Sequence, residues 1–446
     1  ELARRSNGVA RALLDAGVER GDRVAVLLGK SLDVPAAFYG VLAAGAALVP
    51  IDPKSPPAHI ERIVRATGAR RLVTESSRSR SAVQLAADYP KLSHAIGIDD
   101  PNGTSLAVTP WSAVEDMASD DPPGVAVGGL DTSYIQHTSG STGEPKLIRH
   151  NHASAMAFVE WAVDEYRLTA DDRLSNHSSH HTCFATFDYY AAARAAATTV
   201  ILTPAAMFLP ASLAELVERE RISVWYSVPT ALVQLLLHGN LGERELDALR
   251  WVLFAGETFP EKHLRSLRAQ LPNAQFSHVY GSTEVNVCTY YHLPVSGDEP
   301  VPLPIGKPCS NSRALVVDDA GHPVEDGDTG ELLIEGSTVM SGYWGDPERN
   351  RQALIKRPEP GGFDSTWFCT GDRVRALEDG NLAFSGRADL QVKVRGHRVE
   401  LEEVENALIG LEHVHEAAVF AIPDDEGSSA IHAAVVVDPG SAASQK

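Results

Sequence analysis

Nine consecutive residues, Thr138-Ser139-Gly140-Ser141-Thr142-Gly143-Glu144-Pro145-Lys146, alternate hydroxyls with glycines and close on a cation. Such a run can offer phosphate oxygens backbone N–H groups, hydroxyls and one ammonium. It follows the apolar pair Tyr134–Ile135. It is not a Walker loop, because G-x-x-x-x-G-K-[ST] is absent. The plainer alternative is a flexible Ser/Gly surface loop, and the nine residues taken together weigh against it.

A loop of this kind needs a scaffold, and the flanking sequence describes one. Leu2, Val9, Leu13 and Leu14 recur at helical spacing, Gly17 stops the helix, and Val24–Leu28 reads as a strand. Residues 34–51 repeat helix then strand, and His59–Thr67 with Arg71–Thr74 does so again. A second such series runs from about Arg173 to His292, with strands at Thr199–Leu202, Val224–Ser227, Trp251–Ala255 and Gln275–Tyr280. This alternation predicts parallel α/β sheets. From about Val301 the pattern turns β-rich, with Ala314–Val317 and Glu331–Glu335 as strands and Asp319-Ala320-Gly321 as a turn. Gln391–Val394, the charged helix Glu400–Leu408, Ala417–Ile422 and Ile431–Val437 follow. The Ser/Arg-rich stretch Ser76–Ser81 reads as a solvated loop.

The fold class is therefore α/β. A large N-terminal domain, 1–386, holds two α/β layers over about 1–300 and a small β subdomain over about 301–386. A small α+β C-terminal domain, 387–446, reads as incomplete.

Bulk composition narrows the function classes. The chain has 446 residues, long enough for more than one core. Its 43% hydrophobic and 22% charged residues are ordinary for a globular protein. A net charge of −20 argues against a nucleic-acid binder. The four cysteines, Cys183, Cys288, Cys309 and Cys369, form no C-x-x-C pair, so no zinc or dithiol motif is indicated. So few cysteines suit a reducing cytoplasm. No apolar stretch of ~18 residues suggests a membrane span, and no signal peptide is visible. Both ends, Glu1 without Met and Lys446, read as trimmed.

The motifs resemble those of the ANL superfamily of adenylate-forming enzymes, in particular the adenylation domains of nonribosomal peptide synthesis. The loop follows the family pattern T-S-G-[ST]-T-G-x-P-K-G, with Leu147 in place of the last Gly. Ala43–Pro53, Phe254-Ala255-Gly256-Glu257, Tyr280-Gly281-Ser282-Thr283-Glu284, Gly330-Glu331-Leu332, Gly342-Tyr343-Trp344, Thr370-Gly371-Asp372, Gly386-Arg387-Ala388-Asp389 and Lys393–Glu405 follow in family order. Each is weak alone, and the order makes them strong.

The resemblance implies ATP and Mg²⁺ as cofactors and an acid that attacks the α-phosphate. Charge then builds on phosphate oxygens, so catalysis is positioning plus electrostatics. Thr138, Ser139, Thr142 and Lys146 would hold the outgoing phosphates. Glu284 would hold Mg²⁺, a hard cation suited to oxygen ligands; a capping or solvated acid is the plain alternative. Tyr280 would stack adenine, Gly256 and Glu257 would form the adenine-side turn, and Gly281, Ser282 and Thr283 complete that wall. Asp372 would take the ribose hydroxyls with Arg387 nearby. Asp389 would be the hinge of the mobile C-terminal domain.

The family's amino-acid-activating members pair the substrate ammonium with an Asp after a Phe. Here that position falls on Cys183 or Phe184, and the acid present, Asp188, lies about one helical turn further on. Asp188 is either a displaced ammonium anchor, suiting a β-amino or cyclic amino acid, or a structural acid near a helix start. Phe187, Tyr226, Leu253, Ala255, Val279, Val287 and Cys288 form the rest of the expected pocket, apolar throughout. His180 and His181 are either a gate and acid–base pair or simply packed. Cys183 and Cys288 read as pocket walls rather than nucleophiles. A hydrophobic β-amino acid is the first expectation and proline the second.

The family's C-terminal catalytic Lys has no counterpart in these residues, and Lys446 lacks its surroundings. The chain as given is therefore expected to bind ATP and acid but to adenylate slowly. No carrier domain is fused within it, so the expected acceptor is a separate carrier protein bearing phosphopantetheine. An aryl- or acyl-CoA ligase and a non-catalytic ATP-binding relative are the competing readings.

Overall fold

The computed structural model describes residues 1–99, 105–139, 144–295, 300, 302–325, 327–387, 391–394, 397–411, 413–424 and 429–437. The expected site residues Thr142 and Asp389, and Lys446, lie outside them.

Alternation of side chains along short strands builds the first layer. In Arg23–Leu27, Val24 and Val26 face the helices Leu2–Asp15 and Asp33–Ala43, while Ala25 and Leu27 face Pro57–Thr67 and Ser79–Asp88. A sheet buried on both faces reads as an unbroken apolar run, which is why these strands were legible. The sheet has eight strands. Six are parallel, in the order Thr132–Thr138, Ala47–Pro50, Arg23–Leu27, Arg71–Thr74, His94–Ile96 and Ala107–Thr109; Lys146–Asn151 and then Gly342–Tyr343 add antiparallel at one edge.

The second sheet has seven strands. Gln275–Ser282, Trp251–Phe254, Val224–Ser227, Arg173–Asn176 and Thr198–Ile201 are parallel, and Asn286–His292 and Lys307–Pro308 complete it antiparallel. One face packs Trp225, Val252, Phe254 and Phe276 under the helices Pro210–Arg219, Pro229–His238 and Glu261–Gln270. The other face packs Tyr226, Leu253 and Val279 against Phe158 of the helix His152–Tyr166 and against Phe187. Ala155 of that same helix and Tyr189 bury in the first layer's core. One helical layer is thus shared by both sheets, and the segment 183–190 lies within it.

The third sheet pairs Ser312–Val317, Thr329–Gly336, Asp364–Ala376, Leu354–Pro358 and Leu382–Arg387, all antiparallel. Ile148, Tyr280, Cys288, Ile305, Leu332 and Phe368 share a core that joins it to the other two. Then come the hairpin Gln391–Val394/His397–Glu400, the helix Leu401–Ile409 and the hairpin Val414–Pro423/Ser429–Val437. The expected loop at Ser76–Ser81 is instead a 3₁₀ turn leading into the helix Ser79–Asp88, which buries Ala82, Leu85 and Ala86 against the first sheet.

Candidate functional site

Lys146 begins the strand that follows the Ser/Gly-rich loop, directly opposite Thr138 in the ladder. Thr138 Oγ1 is buried without a hydrogen-bond partner, an orphan hydroxyl at the loop's root. Ser139 Oγ donates to the carbonyl of Arg398 at 2.8 Å. The Lys146 ammonium is ion-paired with Glu400, the two side chains being 10% and 7% exposed. Burial, reinforced by the Arg398 charge, pushes Lys146 below the usual lysine range despite that partner. Leu147, the departure from the family pattern, is buried beside Ile135 and Ile51, so the core absorbs it.

Glu284 is fully buried. Its carboxylate accepts from Arg398 at 2.9 and 3.1 Å and from Tyr343 Oη at 3.0 Å. Burial, the largest single influence, would raise its pKa; the Arg398 guanidinium and hydrogen bonds such as that from Tyr343 together outweigh it and hold it at about 2. A carboxylate that stays ionised and already holds a cationic group fits a divalent cation, and Mg²⁺ characteristically takes one or two carboxylates plus phosphate oxygens. Removing its partner would strand a buried charge, at a cost of about 3–5 kcal/mol. His150 Nε2 donates to the Thr283 carbonyl at 2.8 Å and so fixes the turn that carries Glu284.

Tyr280 Oη and Arg387 both donate to the Asp372 carboxylate, and the Asp372 N–H donates to Thr370 Oγ1 at 3.0 Å. Tyr280, Asp372 and Arg387 thus come together from strands of two different sheets. Gly281 and Ser282 end the strand Gln275–Ser282 beside them. Gly256 adopts φ +95°, near Phe184 and Val228. Glu257, expected on the adenine side, accepts from Thr230 N at 3.2 Å and Thr230 Oγ1 at 2.6 Å, securing the first turn of Pro229–His238.

Phe187, Tyr226, Leu253, Ala255, Val279 and Val287 do share one buried cluster. The ring of Phe184 joins them, 4.5 Å from that of Tyr226. Cys288 does not: strand alternation turns it to the opposite face, among Tyr280, Ile305 and Leu332. Taking two consecutive strand residues as lining one pocket overlooked that alternation. Burial pushes the Cys183 thiol up to about 11, and Cys288 higher still. Both thiols are therefore neutral, as expected for walls rather than nucleophiles.

Asp188 sits in a widened, π-helical turn, Thr186–Ala191, and is fully buried. Oδ2 accepts from Asn176 Nδ2 at 2.9 Å, and Oδ1 has no partner. Lys30 bridges in from the first sheet, donating to the carbonyls of Asn176 and His177 at 2.6 and 2.7 Å. Burial pushes the Asp188 carboxyl up and the Lys30 ammonium down, while each charge favours the other. Lys30 was not anticipated from sequence. Its place just past the C-terminal end of a parallel strand was the available signal, because ligands of such sheets gather there.

His180 and His181 are buried, and burial lowers each to about 4, so both are neutral near pH 7. The His181 ring lies parallel to that of His137, 6.1 Å away, just ahead of Thr138. Among the described residues no group of three or more His, Cys, Asp or Glu is arranged to hold a metal. No described helix is long and apolar enough to cross a membrane.

Comparison with known proteins gives a consistent picture. Residues 1–344 match the family described as AMP-binding enzyme. An L-proline--[L-prolyl-carrier protein] ligase of Pseudomonas fluorescens is 35% identical over 91% of this chain and 77% of its own. A ligase of the same name from Streptomyces coelicolor is 36% identical over 94% and 79%. The solved amide bond synthetase McbA of Marinactinospora thermotolerans superposes with a TM-score of 0.83 at 26% identity, over 98% of this chain and 84% of that one.

Proposed function

The chain belongs to the AMP-binding enzyme family and is an AMP-forming ligase that activates an amino acid for a carrier protein; we propose that its substrate is proline, held in the apolar cluster around Phe187 and Tyr226. The observation that carries this reading is that cluster. It holds six of the expected pocket residues, all of them apolar or aromatic, which suits a small aliphatic ring. The two proline-carrier ligases, similar over more than nine-tenths of this chain, point the same way.

In the first step an acid oxygen attacks the α-phosphorus of ATP and the bond to pyrophosphate breaks. Lys146, Ser139 and Thr138, with Thr142, would hold the leaving pyrophosphate and neutralise its growing charge. Glu284 would hold Mg²⁺, which supplies further neutralisation of phosphate charge when bound. Asp372, aligned by Tyr280 and Arg387, would accept from the ribose hydroxyls. Asp389 would serve as the hinge between 1–386 and 387–446. In the second step the carrier's phosphopantetheine thiol, after losing its proton, attacks the acyl carbonyl and AMP leaves.

Asp188 would take the substrate amine. Its orphan Oδ1 is a buried acceptor that an ammonium would satisfy. The same observation favours a second reading, a β-amino acid, because the anchor stands one turn beyond Cys183. Amino-acid-dependent ATP–pyrophosphate exchange across proline, β-amino acids and aryl acids separates these. Proline is expected to give the highest kcat/KM, and exchange confined to acids without an amine would sink both readings. Asp188→Asn is expected to lower kcat/KM about 10- to 100-fold for amine-bearing acids alone, the worth of one charged hydrogen bond. An equal loss with an amine-free analogue would make Asp188 purely structural.

A further inference from the structure

Asp188 is held by a run of polar groups that crosses from one sheet to the other. Lys30 stands just past the strand Arg23–Leu27, and Asn176 ends the strand Arg173–Asn176 of the second sheet. Lys30 Nζ donates to the Asn176 carbonyl at 2.6 Å and to the His177 carbonyl at 2.7 Å. Asn176 turns its side chain to the π-helical turn. Its Nδ2 donates to Asp188 Oδ2 at 2.9 Å, and its Oδ1 accepts from Tyr189 Oη at 3.1 Å. Tyr39, on the helix Asp33–Ala43, donates to the Tyr189 carbonyl at 3.0 Å, and Thr199 Oγ1 donates to the Asp188 carbonyl at 2.5 Å. The backbone and one carboxylate oxygen of Asp188 are thus fixed, and Oδ1 is left open. Wide turns of this kind gather at functional sites.

Position alone does not make a buried acid an anion. A lone carboxylate taken out of water picks up a proton instead. Lys30 opposes this, because its charge favours the ionised form that burial disfavours. The other groups around the pair do not take its place. Lys54 faces Lys30 with like charge, His177 and His180 are held neutral by burial, and Asp52 faces His180. Tyr189 and Tyr226, beside Asp188, are held protonated by burial. We propose that Lys30 is a positioning residue for amino-acid activation: tied to the Asn176 and His177 carbonyls, it supplies the counter-charge that lets Asp188 meet the substrate ammonium as an anion. This rests on the functional reading above, which gives the substrate amine to Asp188. Lys30 acts through Asn176 and Asp188 and does not touch the substrate. An acid without an amine therefore gains nothing from it.

The test follows ATP–pyrophosphate exchange by the wild type, Lys30→Met and Lys30→Arg across a pH series. It uses the preferred amine-bearing acid, L-proline on this reading, and cyclopentanecarboxylic acid, the same ring without nitrogen, read as an inhibitor of that exchange. Lys30→Met is expected to raise KM for the amino acid about tenfold and leave KM for ATP within about twofold. Its acidic limb of kcat/KM is expected to move up by about one pH unit, because Asp188 without a counter-charge takes a proton at higher pH. Inhibition by the ring acid should not weaken. Lys30→Arg keeps the charge and is expected to return the limb to its wild-type place. A limb that stays put in Lys30→Met, or that Lys30→Arg fails to restore, overturns the proposal. So does an equal loss for ATP or for the ring acid, which would make Lys30 a brace between the sheets. Should Lys30→Met not fold, Lys30→Gln keeps a donor for the carbonyls, loses the charge and is read the same way. A wild-type chain that activates no amine-bearing acid, or an Asp188→Asn variant that does so undiminished, sinks the functional reading. Wild-type activation that needs Asp188, with an unshifted limb in Lys30→Met, sinks the Lys30 inference alone.

Discussion

Gly256 shows how one residue's backbone sets the turn after the strand Trp251–Phe254. Its φ of +95° lies where a side chain is strained, although an added Cβ would find ordinary contacts at 3.6 and 4.0 Å. Gly256→Ala is therefore expected to cost about 1–2 kcal/mol through backbone strain rather than collision. Thermal unfolding would read the loss, and unchanged stability would mean that the turn relaxes freely. At this scale the sequence showed residue types better than directions. Glu284, Asp372 and Lys146 could be picked out because motif chemistry limits which side chains can serve at such positions. Cys288 faces the other way because adjacent strand positions oppose each other, a fact about pleat rather than chemistry. Arg398 and Glu400 went unnoticed as a pair, although charges two apart in a strand-like run share a face. Lys30 was missed for a different reason: its partners, the Asn176 and His177 carbonyls, lie more than a hundred positions along the chain, and only its place past a strand end pointed to it.

Among the elements, the parallel strands of the second sheet depend on one acid. Asp172 accepts from Thr169 N at 2.8 Å, Ser223 Oγ at 2.7 Å, and Arg250 Nε and Nη2 at 2.8 Å each. It thereby ties together the starts of Arg173–Asn176, Val224–Ser227 and Trp251–Phe254. Desolvation raises its pKa, but the Arg250 and backbone hydrogen bonds win and hold it below the usual range. Asp172→Ala is expected to cost about 1–3 kcal/mol by removing the acceptor shared by Thr169, Ser223 and the partly exposed Arg250. A lowered denaturant midpoint would show it, and a midpoint within error of wild type would refute it. The short strands were legible because both their faces are buried. The 13-residue strand Asp364–Ala376 was not. Its burial alternates, and polar residues such as Thr366, Thr370 and Arg373 interrupt any apolar run. Asn286–His292 was not read as a strand either, its Thr and Tyr residues interrupting any apolar run.

For the molecule as a whole, buried imidazoles dominate the response to acid. Burial lowers His150, His180, His181 and His278 to about 4, and His137 and His177 to about 3. Unfolded, each would titrate near about 6.5. Between those values the unfolded chain binds more protons, so the stability present above pH ~6.5 is lost as pH falls toward the folded values. Each histidine contributes about 1.4 kcal/mol per pH unit in that window. Glu284 adds a further loss only below pH ~4.3, its unperturbed value. Unfolding temperature is therefore expected to hold level from pH 8 to 7 and drop steeply between 6.5 and 4.5. A flat profile across that range would show the rings to be hydrated in the folded chain.

Thr138 faces Lys146 across a fixed ladder, and the strand beyond is held on its other side by Gly342–Tyr343, with Trp344 N donating to the Leu147 carbonyl at 2.7 Å. Leu147 and Ile148 bury in different cores. A slip of one position would exchange the two and ruin both. The span between Thr138 and Lys146 is thus pinned at either end like an arch on two abutments. The register of the two strands, and not the loop's own residues, decides that Thr138 and Lys146 stand opposite each other.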